Sequence, residues 1–144
     1  MENFYIYLTF DIDQDFNPSS VDYYNRSAAR FDSFGAGFQK IIDSLDGNAF
    51  SVFIRCDYQI KSLYGDYGYL LNSNPSLISS IKKSNGELNW HIHLYEERET
   101  EWEPVVETHL ADSFKEDLRN VKLITEINWR VVRIGECVMN NELM

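Results

Sequence analysis

Four short apolar runs alternate with stretches of helical periodicity along this chain, and that alternation limits the available folds more than any other feature. The runs span residues 4–10, 50–56, 88–94 and 131–135, each of strand length and rich in β-branched and aromatic residues. Between the first two, Phe34, Phe38, Ile41, Ile42 and Leu45 recur at helical spacing before Gly47, a helix stop. Asn74-Pro75, a capping residue followed by proline at the first helical position, opens a second helix through Leu77, Ile78 and Ile81 that stops at Gly86. A third helix spans about residues 107–124, with Leu110, Phe114, Leu118 and Val121 forming one apolar stripe. The expected order is β-α-β-α-β-α-β, an α/β fold of parallel β/α repeats, either an open sheet or part of a barrel.

At 144 residues the chain is expected to form a single domain, residues 1–144. It reads as incomplete at its C-terminus, because Asn140-Asn141-Glu142-Leu143-Met144 resembles the start of a further helix and half a barrel leaves an exposed sheet edge, through which the chain can self-associate. With 13 Lys and Arg against 23 Asp and Glu, the net charge of −10 repels a phosphate backbone and excludes nucleic acid as partner. No apolar run is long enough to cross a membrane and the N-terminus lacks a secretory pattern, so a cytoplasmic protein with no membrane partner is expected. Cys56 and Cys137 lie far apart without close-spaced partners and read as packed thiols.

Side chains alternate across a strand, so each run divides into two faces. In the first, Ile6, Leu8, Phe10 and Ile12 share one face, and Tyr7, Thr9, Asp11 and Asp13 share the other, with both carboxylates at the C-terminal end. In the third, Leu88, Trp90, Ile92 and Leu94 oppose Asn89, His91 and His93. Arg55 with Asp57, and Arg133 with Gly135, extend the polar face on the second and fourth runs. Carboxylate and imidazole gathered at the C-terminal end of parallel strands suit zinc or a similar divalent ion and metal-assisted hydrolysis. The segments expected as loops, residues 14–33, 57–73 and 95–104, follow the first three strands and would elaborate that end. Tyr58, Tyr64, Tyr67 and Tyr69 in the second could stack on a sugar or pack on the fold, and Glu96, Glu97, Glu99, Glu101 and Glu103 in the third read as a solvated acidic loop.

Thr9-Phe10-Asp11-Ile12-Asp13, Trp90-His91-Ile92-His93 and Arg133-Ile134-Gly135, in that order, resemble the first three motifs of the polysaccharide deacetylase (NodB-homology) family. The resemblance implies a partial, distorted (β/α) barrel acting on a carbohydrate substrate, removing acetyl groups from N-acetylated sugars or polysaccharide with a divalent metal ion, zinc by preference. It implies Asp11 as general base, Asp13 and His91 as metal ligands, and Arg133 as the residue that orients Asp11. The family's second metal histidine lies four positions after the first, where this chain has Tyr95; His93, on the same strand face as His91, is the substitute. The carboxylates are spaced Asp-x-Asp where the usual motif has them adjacent. The histidine that protonates the leaving amine belongs to a late motif that this chain lacks, and His109 reads as a solvated helix residue.

Two other enzyme classes and one non-catalytic reading account for part of the pattern. A haloacid-dehalogenase-like phosphatase also opens on Asp-x-Asp, with Asp11 as nucleophile and Asp13 as acid; it needs Ser or Thr at the next strand end, where this chain has Ile54-Arg55-Cys56-Asp57, and it leaves the histidines without a role. A sugar-nucleotide transferase uses Asp-x-Asp deeper in its chain. A non-catalytic truncated barrel fragment would keep the half-barrel without turnover.

Overall fold

A computed structural model of the chain describes residues 7–13, 31, 34–99, 101–105, 109–124, 127 and 129–135. Its centre is a curled, parallel four-stranded sheet in chain order: β1 (Leu8–Asp11), β2 (Phe50–Arg55), β3 (Gly86–Ile92) and then Val132–Ile134. Helix α1 (Phe34–Ser44) connects β1 to β2. Helices α2 (Tyr58–Tyr64), α3 (Tyr69–Asn72) and α4 (Pro75–Lys83) connect β2 to β3. After β3 comes an antiparallel hairpin, β4 (Tyr95–Arg98) and β5 (Glu101–Pro104), then α5 (Leu110–Ile124) and the last strand, β6 (Val132–Ile134). The expected mixed α/β repeat is therefore present, with the strands side by side as in part of a barrel.

The outward sheet face is the apolar one. Val52, Ile54 and Ile92 are fully buried, and Trp90 stacks on Phe114 of α5 while its indole N–H donates to the Cys56 carbonyl at 2.9 Å. Each such aliphatic side chain contributes roughly 1.5–3 kcal/mol on burial. Every residue of β2 is buried, as expected of a strand covered on both faces. Cys56 is a buried free thiol, and burial pushes its pKa up. Phe10, Phe34 and Phe38 pack α1 onto β1.

Two segments differ from their expected loops. Residues 57–73 form α2 and α3: the Asp57 side chain accepts from the Ile60 N–H, and Gly65 ends α2 at φ +81°, a left-handed conformation that costs glycine little. Their tyrosines make packing contacts, although Tyr58 remains exposed. Tyr64 and Tyr69 stack with centroids 3.9 Å apart, Tyr67 accepts from Asn120 at 3.1 Å, and Tyr58 meets Trp102 edge-on. Residues 95–98 and 101–104 pair as an antiparallel hairpin: Tyr95 and Trp102 are buried, while Arg98 links Glu96 to Glu103 across the two strands. A charged ribbon with one apolar side satisfies strand alternation, which a count of glutamates conceals.

Smaller differences concern punctuation. The expected stop at Gly86 is instead the first residue of β3, where a Cβ would lie 2.6 Å from Phe50 Cζ and 2.7 Å from Ile81 Cγ2. Asn74 precedes α4, but its amide donates back to the Leu70 carbonyl at 3.0 Å and does not cap the helix. The start of the first run, most of the 14–33 segment, Cys137 and the 140–144 segment lie outside the described residues. No helix among the described residues is long and apolar enough to cross a membrane.

Candidate metal centre

The strand register assembles the polar face. Arg55 of β2 lies opposite His91 of β3, and His91 lies opposite Arg133 of β6. Asp11 lies opposite Phe53, so Asp13, two residues on, reaches the level of Arg55. His93, just beyond β3, sits one step above that row.

Asp13, His91 and His93 each present a ligand atom within 4.8 Å of the other two. His91 Nε2 and His93 Nε2 are 3.1 Å apart, and His93 Nε2 is 3.4 Å from Asp13 Oδ2. Both imidazoles are buried, at 3% and 5% exposure, whereas the Asp13 side chain is 36% exposed and opens the cluster to solvent. His91 Nδ1 lies 3.1 Å from the Arg133 carbonyl, which can only accept, so the network assigns the proton to Nδ1 and leaves the Nε2 lone pair facing the cluster. Burial, then the positive charge of Arg55, then His93, lower the His91 pKa to about 4 against the opposing pull of Asp11, so its ring is neutral near pH 7. Among the described residues, His93 Nδ1 is buried without a hydrogen-bond partner.

This donor set fits a divalent ion. One carboxylate oxygen and two imidazole nitrogens converge, one imidazole is fixed by a backbone carbonyl in the tautomer that ligation requires, and the carboxylate side is open. The space for His93 depends on Gly135 at the end of β6, where a Cβ would fall 2.6 Å from His93 Cε1 and closer still to Nε2 and Cδ2.

Beside the cluster, Arg133 Nη1 pairs with Asp11 Oδ1, and the guanidinium lies 3.9 Å from the centroid of the Phe53 ring. Asp11 and Arg133 are 38% and 37% exposed, within reach of solvent and of a substrate. All five residues singled out in the sequence, Asp11, Asp13, His91, His93 and Arg133, thus lie together at the C-terminal end of the sheet. His109, immediately before α5, is exposed.

The same end holds groups whose engagement the sequence does not reveal. Arg55 is fully buried; it donates from Nη1 to Asp13 Oδ1 at 2.9 Å, from Nε to Asp57 Oδ2 at 2.5 Å and from Nη2 to Gln59 Oε1 at 2.7 Å. Asp57 Oδ2 also accepts the His93 backbone N–H at 3.0 Å. Strand alternation places Arg55 and Asp57 on this face; Gln59, on the first turn of α2, carries no sequence signal for it. Separately, a cleft of about 440 Å³ between the hairpin and α5 is lined by Tyr58, Tyr95, Glu96, Glu97, Glu116 and Asp117 among others. Asp117 is buried there, and desolvation, then the charge of Asp57, push its pKa up to about 8.

Scanned against protein-family models and compared with curated proteins and with solved structures, the chain matches none of them, and the functional reading rests on the residues and geometry above.

Proposed function

We propose that the chain is a metal-dependent hydrolase of the polysaccharide deacetylase kind, which cleaves the C–N bond of an acetamido group on a sugar or polysaccharide. The observation that carries this reading is the convergence of Asp13, His91 and His93 beside the Asp11–Arg133 pair. Asp13 Oδ2, His91 Nε2 and His93 Nε2 would hold the ion. When bound, a divalent ion such as zinc supplies Lewis-acid polarisation of the amide carbonyl and of the attacking water.

The chain's own residues do the rest. Asp11 accepts the proton of the water whose oxygen adds to the carbonyl carbon; the C–N bond then breaks, acetate forms, and the amine departs with a proton. Arg133 holds Asp11 by one oxygen and leaves the other for that water. Phe53 beneath the guanidinium limits the directions Arg133 can take. No described side chain is assigned to protonate the amine, and with solvent in that role turnover is expected to be slow, short of the roughly 10²- to 10⁴-fold that a positioned acid contributes.

The test is acetate release from N-acetylated chitooligosaccharides by the zinc-loaded chain and by Asp11→Asn. Release that the substitution removes supports the reading. A folded, metal-loaded chain that releases no acetate but hydrolyses p-nitrophenyl phosphate would sink it in favour of the phosphatase reading.

A further inference from the structure

The three candidate ligands are anchored in different ways. His91 lies within β3 and is fixed by its strand and by the Arg133 carbonyl. Asp13 and His93 lie just past the ends of their strands, where no ladder of paired strands dictates their positions. Both are reached by one pair of buried side chains.

Arg55 binds Asp13 through Oδ1, which leaves Oδ2 as the oxygen turned to His93. Its own direction is over-determined. Asp57 takes Nε, Gln59 takes Nη2, and the planar guanidinium makes these directions rigid with respect to Nη1. Phe31 lies against the guanidinium, its centroid 5.5 Å from Cζ. Asp57 is held in turn, because its Oδ1 caps α2 at Ile60 while its Oδ2 receives both Arg55 and the His93 N–H. A displacement of Arg55 therefore changes the aim of Asp13 directly and the placement of His93 through Asp57.

We infer that Arg55 is a positioning residue of the metal centre, holding Asp13 by Oδ1 and, through Asp57, fixing where His93 stands. The inference rests on the metal-site reading and adds to it a group that touches neither the ion nor the substrate. Burying a guanidinium costs desolvation that a purely structural role would avoid with an apolar side chain of similar volume. Here all three of its nitrogens point at fixed acceptors, one of them a ligand carboxylate.

The experiment measures Zn²⁺ affinity by competition with a chromophoric chelator, and the visible absorption of the Co²⁺-loaded chain, for wild type, Arg55→Lys and Arg55→Met/Asp57→Asn. The double variant removes the buried charges together, and the amide introduced by Asp57→Asn retains an oxygen to accept from the Ile60 N–H. Zn²⁺ affinity is expected to fall about tenfold to a hundredfold in the folded double variant, in the range for groups that orient metal ligands. Arg55→Lys, which keeps the charge but loses the fork, is expected to weaken Zn²⁺ and shift the Co²⁺ absorption, a change of ligand geometry that stability alone would not produce. If wild type binds zinc and the folded double variant binds it equally well, the inference fails while the metal site stands. Should the double variant not fold, an unchanged affinity and Co²⁺ spectrum in Arg55→Lys would overturn it just as well. A folded wild type that binds neither ion overturns the metal site and the inference together.

Discussion

His91 and His93 face each other through their Nε2 atoms at 3.1 Å, and the Asp13 carboxylate closes the third side. Since the Arg133 carbonyl holds the His91 proton on Nδ1, the facing atoms are a lone pair, a second imidazole nitrogen and an anionic oxygen. Such a group of acceptors is stable only with a proton or a cation among them. A proton on His93 Nε2 satisfies it in one way and a divalent ion in another.

Zinc is accordingly expected to bind near one equivalent per chain and to raise the thermal unfolding midpoint. At a hundred times its dissociation constant it adds about 2.7 kcal/mol to stability. Asp13→Ala, His91→Ala and His93→Ala should each abolish the bound metal, measured by mass spectrometry, and remove the zinc-dependent shift in midpoint. Retention of full zinc by the His93 variant would exclude it as a ligand.

Gly135→Ala tests the room made for His93. The added methyl would overlap the imidazole at Nε2 and Cδ2, so the ring must turn away from Asp13 and His91. Zinc affinity should fall by about tenfold or more, and stability by roughly 1–3 kcal/mol, as for other overpacked sites. Circular dichroism should still report a folded chain. Unaltered zinc affinity would show that the ring position is not what Gly135 protects.

Asp11 and Arg133 should separate catalysis from metal binding. Asp11→Asn is expected to cut acetate release by about 10²- to 10⁴-fold with zinc affinity unchanged. Arg133→Met should lower the rate less, because Asp11 remains in place with only its orientation loosened. Loss of zinc in Asp11→Asn would instead make Asp11 a ligand.

Asp117 should set part of the chain's pH dependence. Burial, then the charge of Asp57, raise its pKa from 3.8 to about 8 against the opposing effect of the Tyr58 backbone N–H and the Tyr67 hydroxyl, both of which it accepts. The folded state therefore keeps a proton that the unfolded state releases, and stability falls as pH rises between about 4 and 8, by at most about 1.4 kcal/mol per pH unit from this group. Asp117→Asn, neutral at every pH, should flatten that slope in urea titrations and be more stable than wild type at pH 8. A wild-type slope that survives the substitution would assign it to other groups.

The parts of this molecule that depend on local periodicity are legible in its sequence. Alternation at period two places Asp11 with Asp13 and His91 with His93 on one strand face whatever the neighbouring strands do, and the helical spacing of Phe34, Phe38 and Ile42 marks α1 in the same way. The β4–β5 hairpin is obscured because its glutamates dominate and its two aromatics, Tyr95 and Trp102, both buried, are too few to display the alternation. Helix α2 is obscured although its cap, Asp57, and its stop, Gly65, both stand in the sequence, because seven residues offer little periodicity between them.

The alternation of the four sheet strands with α1, α4 and α5, and the gathering of carboxylates and imidazoles at one end, follow from the order of amino acids. How those groups meet follows only from the assembled sheet. Arg55 reaches Asp13 across 42 positions of chain, and Arg133 reaches Asp11 across 122. Both contacts depend on the register between parallel strands, which covering helices and cross-strand packing set over the whole sheet. The same register brings Gly135 against His93, so the need for glycine there comes from a ring supplied by another strand and not from the backbone of its own.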